Sequence, residues 1–381
     1  MIIHTIHHPV SAKKFVEPLV ESLNSNGLKA ELWLENREDL KDFTSAINCP
    51  KKFVKFDLSL NPCAVLARLV SLLKKFIKDK PLAIHAHQSR AAFLPLLAAK
   101  IVHIPIRIYN NHGTPYLGYR GVLRGLLWVL EFLNCSLATQ VITVSKSIHK
   151  KMVQHHIVSK SKCRILGEGS ACGIDLADFS EEKFDRASMV KDRRKFGISP
   201  DSFVVLYVGR PFRRKGFHTL ISAWQLMDHS KQENILLVAG CNSDDIAQAT
   251  GTIIKNVVAL GYVKNLLPLY AACDIVVLPS FHEGLPYSLL EGAAAGKALI
   301  GSDVPGINSV INNNNGLLVP VESPPKLAEA LSFLRNNPEI RRKMGQAGRN
   351  YVERCFDRNA CLKQMLDYYC QIGIIPDCHS A

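Results

Sequence analysis

Short apolar blocks recur along this chain, separated by segments with helical spacing. In the first half the blocks are "MIIHTI", "LKAELWL", "PLAIHAH", "IPIRIYNNHG" and "ATQVITVS". Each predicts a strand, and the histidine- or asparagine-bearing ends predict loops. Between them, Ser11–Ser25 predicts a helix. "CAVLARLVSLLKKFIKDK" predicts an amphipathic one, with Arg68, Lys74, Lys75 and Lys78 set among leucines and valines. The second half repeats the pattern more cleanly, with "FVVLYVG", "NILLVAG", "NVVALG", "CDIVVLPS", "KALIGS" and "GLLVP" as predicted strands. These runs are continuous rather than alternating, as strands covered on both faces of a parallel sheet must be. The pattern is interrupted by the Gly-rich "LGEGSACGIDLADF" and the charged "SEEKFDRASMVKDRRKFGISPDS".

A chain of 381 residues exceeds what one hydrophobic core supports. The expected fold class is therefore α/β: two doubly wound Rossmann-like domains with a cleft between them. The expected boundaries are 1–175 for the first domain, 176–200 for a linker and 201–355 for the second domain. Residues 356–381 would form a helix and tail packing back on the first domain.

The loops after the second-half strands carry the chemistry. In "PSFHEGLPYSLLEGAAAGKALIGSD", Glu283 follows a strand end and Glu291 comes after seven intervening residues, inside a helix opened by Pro286 and closed by Gly296. Backbone N–H groups at Gly284 and Leu285 would sit at that helix's amino terminus, where anions bind, beside two carboxylates suited to hydroxyls. "LYVGRPFRRKG" places Arg210, Arg213, Arg214 and Lys215 after another strand end. Guanidinium and ammonium groups there suit phosphate oxygens. A phosphate flanked by polyols is the shape of a nucleotide sugar.

Charge adds a second theme. Residues 1–170 hold 24 Lys/Arg against 11 Asp/Glu, a surplus of 13, whereas residues 171–381 hold 23 against 22. The excess thus lies in the first half, where it predicts an anionic partner. A dinucleotide dehydrogenase would need a G-x-G-x-x-G turn after a strand, and none occurs. Single-stranded nucleic acid would want aromatics interleaved with the basic residues, and "KKFIKDK" offers one. The 11 cysteines form no C-x-x-C pair and read as reduced thiols. No signal peptide is apparent and no apolar run reaches the length of a membrane span, so a cytoplasmic location is expected.

The chain resembles retaining GT-B glycosyltransferases of family 4. The residues carrying the resemblance are "HEGLPYSLLE", which matches the family's E-x7-E motif, with "GRPFRRKG", "NNHGTP", "GEGSACGIDLADF" and "DVPGINSVINNNNGLLVP". "HAHQSRAAFLPLLAAK", "NNHG" and "GEGS…GIDL" look most like bacterial transferases that extend undecaprenyl-diphosphate-linked sugars. The resemblance implies that Glu283 binds donor-sugar hydroxyls and Glu291 the ribose. Arg210 and Lys215 would neutralise the leaving diphosphate, without a metal or other cofactor. Gly284 and Leu285 would donate to the same phosphates, His112 would face the donor sugar from the other domain, and Tyr262 and Val263 would border the base.

The implied partners are a nucleotide sugar, a polyprenyl-diphosphate-linked acceptor and the anionic inner face of the cytoplasmic membrane, with no nucleic acid. The acceptor or membrane side would use His7, His8, Lys13, Lys74, Lys75 and Lys78. A soluble small-molecule acceptor, or a non-catalytic nucleotide- or nucleic-acid-binding protein, stands as the alternative. The chain departs from the family in two places: "HHPVSAKKF" lacks the glycines many members carry after the first strand, and Ser309 stands where many have Glu.

Overall fold

The computed structural model describes residues 1–35, 41–228, 230, 233–251 and 254–375. The chain forms two compact units, Met1–Gly173 with Arg358–Ala381 and Ile174–Asp357. Each is built on one all-parallel sheet.

The first unit contains β1 (Ile2–Ile6), β2 (Ala30–Leu34), β3 (Lys51–Phe53), β4 (Ala83–His87), β5 (Ile106–Asn111), β6 (Gln140–Thr143) and β7 (Cys163–Arg164), in the order β3-β2-β1-β4-β5-β6-β7. The strand order reverses between β1 and β4, which pair with Ile2 opposite Ala83 and His4 opposite His85. Such a reversal opens a crevice at the strands' carboxyl ends. Helices Pro62–Asp79, Ser89–Ile101 and Gly121–Leu137 cover one face, over a core that includes Trp33, Phe76, Tyr109 and Val141. Helices Glu17–Ser25 and Arg358–Gln371 supply Leu19, Val20, Leu23, Met365 and Tyr369 to the core on the other face.

The second unit contains β8 (Phe203–Val208), β9 (Asn234–Ala239), β10 (Val257–Ala259), β11 (Ile275–Leu278), β12 (Ala298–Ser302) and β13 (Gly316–Val319), in the order β10-β9-β8-β11-β12-β13. All six strands match the predicted blocks. Here the reversal falls between β8 and β11, so the loops after these two strands are neighbours.

Three expectations need correction. Ser11–Ser25 is two helices, Pro9–Phe15 and Glu17–Ser25, broken at Val16 (φ −125°). Pro18 has no N–H to donate to the Lys14 carbonyl, so the first helix's hydrogen-bond ladder cannot run through it. Residues 176–200 are not a linker: they belong to the second unit and contain the helix Arg186–Lys195. That helix is anchored by buried Arg193, whose guanidinium donates to Asp274 at 2.8 Å and to the carbonyls of Pro200, Ser202 and Ala272. Among the described residues most cysteines are buried thiols outside any disulfide, but Cys370 is disulfide-bonded. Among the described residues no helix is long and apolar enough to cross a membrane.

Candidate active site

The loops after β8 and β11 are joined by backbone contacts that only glycine permits. Gly216 (φ +70°) follows the short 3-10 turn Arg213–Lys215, and a Cβ there would lie 1.8 Å from the Pro279 carbonyl oxygen. The close approach lets Phe281 N–H donate to the Arg214 carbonyl at 2.8 Å. A third loop backs the second: Gly306 (φ +88°) sits where a Cβ would meet the Glu283 carbonyl oxygen at 2.4 Å and that of Gly284 at 2.7 Å. The "DVPG" turn thus supports the backbone of the glutamate loop. The rim continues toward β9 and β10 through Gly240, which approaches the Gly209 carbonyl and donates to Gly261.

On this scaffold Lys215 Nζ donates to Glu283 Oε1 at 2.6 Å, with the two side chains 23% and 13% exposed. Burial pushes the Glu283 carboxyl up. The Lys215 charge, hydrogen bonds from Lys215 and Ser280, and His282 outweigh it and hold the group below the usual carboxylate range. An ionised carboxylate and a cation therefore stand together in a low-dielectric corner at the switch point. Glu291 lies on helix Tyr287–Ala294, where its Oε2 accepts from the Tyr270 hydroxyl at 2.8 Å. That helix packs tightly because Gly292 faces Val276 of β11, where a Cβ would be 2.6 Å from Val276 Cγ2. Burial first, then the Glu291 charge, drives the Tyr270 phenol well above its ordinary pKa, so it stays a donor. Gly284 and Leu285 are buried just ahead of the helix.

Arg210 is exposed and lies 5.0 Å over the Phe212 ring. Arg213 instead pairs with Glu322 at 3.0 Å on the surface. Tyr262, which is 66% exposed, and half-buried Val263 follow β10 on the same edge of the sheet. The structure thus brings Arg210, Lys215, Glu283, Gly284 and Leu285 onto the adjoining loops of one sheet edge, with Glu291 on the helix behind.

His112 belongs to the first unit, directly after β5. Its loop is held by a buried network that the sequence did not reveal. Glu131 accepts from Ser89, from Tyr109 at 2.7 Å and from Asn111 Nδ2 at 2.9 Å, and Asn111 Oδ1 accepts from Gly113 N–H at 2.9 Å. Burial pushes Glu131 up to about 7, opposed by the hydrogen bonds from Ser89, Tyr109 and Asn111. His7 and His8 lie at the carboxyl end of β1, with His8 as the N-cap of Pro9–Phe15. Lys13 turns to Glu17 at 3.5 Å and to the Ala46 carbonyl, so its charge is tied within the unit.

Lys74, Lys75 and Lys78 lie on helix Pro62–Asp79, which also exposes Leu66, Val70 and Ile77. Helix Gly121–Leu137 exposes Val122, Leu123, Leu126, Val129 and Phe132, with Arg120 and Arg124 at its start. Both helices flank Ser89–Ile101 on one face of the sheet, so the basic and apolar residues share a side of the unit.

The comparisons agree with this architecture. The family model "Glycosyltransferase Family 4" matches residues 12–170, and "Glycosyl transferases group 1" matches residues 188–351. The chain is 27% identical over 374 residues to the capsular polysaccharide biosynthesis glycosyltransferase CapM of Staphylococcus aureus, covering 96% of each chain. It is 27% identical over 322 residues to the N,N'-diacetylbacillosaminyl-diphospho-undecaprenol alpha-1,3-N-acetylgalactosaminyltransferase of Campylobacter jejuni, covering 82% of each. Among solved structures, Anabaena HepE in complex with UDP and glucose superposes with a TM-score of 0.80 at 16% identity, over 97% of this chain and 99% of that one. With two parallel-sheet units and family models matching in both, the chain is a family 4 glycosyltransferase of GT-B architecture.

Proposed function

We propose that this glycosyltransferase moves a sugar, with retention of anomeric configuration, from a nucleotide-diphosphate donor to a lipid-diphosphate-linked saccharide in cell-surface glycan synthesis. The observation that carries the reading is the Lys215–Glu283 pair at the β8/β11 switch point. A diphosphate leaving group gains negative charge as the glycosidic bond breaks. Cations and N–H donors already fixed around it stabilise that charge without reorganisation.

In this reading Lys215 and Arg210 meet the diphosphate, with Gly284 and Leu285 N–H groups on the same oxygens, and no metal is needed. Glu283 accepts from donor-sugar hydroxyls and keeps Lys215 in place. Glu291, oriented by Tyr270, accepts from the ribose, and Tyr262 and Val263 border the base. His112 is assigned to the donor sugar. Retention follows from attack on the leaving-group face, with a donor phosphate oxygen accepting the acceptor's proton, so Glu283 is not a nucleophile.

The acceptor class is supported by the Campylobacter relative, whose name specifies a diphospho-undecaprenol substrate, and by CapM, which serves capsular polysaccharide biosynthesis. UDP is supported by its presence in Anabaena HepE. The exposed apolar residues of Gly121–Leu137 and Pro62–Asp79, with their flanking cations, suit the inner face of an anionic bilayer, where such an acceptor is anchored. His7 and His8 are assigned to the acceptor side. The test is a screen of UDP- and GDP-sugars scored by nucleotide release, with and without a short-chain polyprenyl-diphosphate N-acetylhexosamine. Acceptor-dependent release supports the reading. Release stimulated only by a soluble acceptor transfers the assignment to that substrate class, and no release from any donor refutes it.

A further inference from the structure

Four histidines stand together, His4 within β1, His85 and His87 on β4 and His112 directly after β5, and three of them form a hydrogen-bonded chain. His4 Nδ1 lies 3.3 Å from His87 Nε2, and His87 Nδ1 lies 2.9 Å from His112 Nε2. The fourth, His85, pairs with the Tyr369 hydroxyl and stacks on His87 at 4.2 Å between ring centroids. His4, His85 and His87 are buried completely or nearly so. Nothing in the donor-site chemistry uses His4 or His87.

The chain has only two consistent proton arrangements. A neutral imidazole carries one N–H, so each ring that donates at one nitrogen accepts at the other. Burial holds His4 down to about 3 and His112 to about 4, and burial with the neighbouring histidines holds His87 well below its ordinary value, so all three rings are neutral near neutral pH. In one arrangement His4 Nδ1–H donates to His87 Nε2, and His87 Nδ1–H donates to His112 Nε2. In the other, every proton runs the opposite way. The unpartnered end decides between them. Among the described residues His4 Nε2 is buried without a hydrogen-bond partner. The reverse arrangement would place an N–H there, and an orphaned buried N–H is rarer than an orphaned acceptor. The first arrangement leaves only a bare lone pair.

We infer that His87, set in turn by His4, is a positioning residue that locks His112 as the neutral tautomer protonated on Nδ1. His112 Nε2 is committed to His87, and Nδ1–H is the donor His112 offers to a ligand. Placing that ligand's oxygen on the donor sugar rests on the function proposed above, whereas the tautomer does not. The nitrogens of His4, His85 and His87 also lie within 4.8 Å of one another, a spacing that invites a metal ion. Two of these rings' nitrogens are instead engaged with each other, His4 Nδ1 with His87 Nε2, and His85 Nδ1 is engaged with the Tyr369 hydroxyl.

The test uses the full chain labelled with ¹⁵N in histidine. The expected spectrum shows His112 protonated at Nδ1 and bare at Nε2 across neutral pH. Two near-isosteric variants then separate positioning from packing. In His87→Asn the amide nitrogen can take the place of Nδ1 and donate to His112, preserving its tautomer. In His87→Asp a carboxylate can only accept, so the His112 proton moves to Nε2. Nucleotide release from UDP-glucose and UDP-N-acetylglucosamine should then be at least tenfold faster in the Asn variant than in the Asp variant, with thermal melts confirming both are folded. A His112 proton on Nε2 in the parent, equal tautomers in the two variants, or a stoichiometric transition metal in the purified chain would overturn the inference. If no donor is turned over by the parent, the functional reading fails while the spectra still decide the tautomer.

Discussion

Replacing Lys215 by Met and Glu283 by Gln, singly and together, separates a donor-site role from a merely structural ion pair. Both side chains are largely withdrawn from water and 2.6 Å apart. Removing one partner of a fully buried pair costs about 3–5 kcal/mol, because the other charge is left uncompensated. With the lysine partly exposed, Lys215→Met should cost about 2–3 kcal/mol of stability. In the parent, Glu283 is held below its ordinary pKa, so it contributes stability above the unfolded pKa that is lost as pH falls through the folded value. Without Lys215 the burial effect dominates, the folded pKa rises, and the loss moves to the side of rising pH. The double variant removes both charges and should return to within about 1 kcal/mol of the parent. Activity should behave differently. Loss of a cation that acts on the leaving diphosphate costs about 2–4 kcal/mol, or roughly 30- to 1,000-fold in nucleotide release. The double variant should therefore regain stability by denaturant titration while remaining at least about 30-fold slow. Recovery of activity together with stability would refute the donor-site role.

Other perturbations follow from the same geometry. Gly306→Ala should lower the rate of nucleotide release at least tenfold, because its Cβ would displace the Glu283 carbonyl. Gly27→Ala, also at positive φ but with open space around it, should cost only about 1 kcal/mol of stability and leave that rate alone. Glu131, pushed up to about 7 from 4.5, keeps a proton that the unfolded chain has released, so stability falls as pH rises between those values. Glu131→Gln should flatten that slope and shrink the stability difference between about pH 5 and pH 8 by about 2–3 kcal/mol, measured by melts across pH. EDTA should leave nucleotide release intact, and an absolute need for Mg²⁺ or Mn²⁺ in the chemical step would contradict the role given to Lys215 and Arg210. Changing Lys74, Lys75 and Lys78 to Glu should weaken binding to anionic vesicles, at about 1 kcal/mol for each cation lost, and salt should weaken the parent's binding. Equal partitioning to neutral and anionic vesicles would refute the membrane assignment.

What the sequence reveals and what it hides divide along chain separation. The six strands of the second unit are legible because continuous Val/Ile/Leu runs have one reading, strands covered on both faces. β3 and β7 are not. β3 has only Lys51, Lys52 and Phe53, with two of the three exposed, and β7 has two residues, so neither offers a run to read. Residues 176–200 read as a linker because charge dominates their composition. Contacts remote in the chain, such as that of Arg193 with Asp274, 81 positions away, show that they are anchored.

The candidate site divides in the same way. Glu283 and Glu291 could be found because a strand end, a loop and the first turns of one helix fix their spacing locally. The partners that give them their chemistry are remote: Lys215 lies 68 positions from Glu283, and Tyr270 lies 21 from Glu291. Local spacing can nominate a carboxylate but cannot say whether it stands ionised against a cation or is held by a phenol, and that difference decides its role. The histidine chain is the extreme case. "HAH" and "NNHG" each look like a strand running into a loop. His4, 83 positions before His87, contributes only a lone histidine in the first strand. The parallel pairing of β1 with β4 makes them neighbours, and burial then makes them neutral. Pairing and burial together turn three unremarkable letters into a directed line of protons ending at His112.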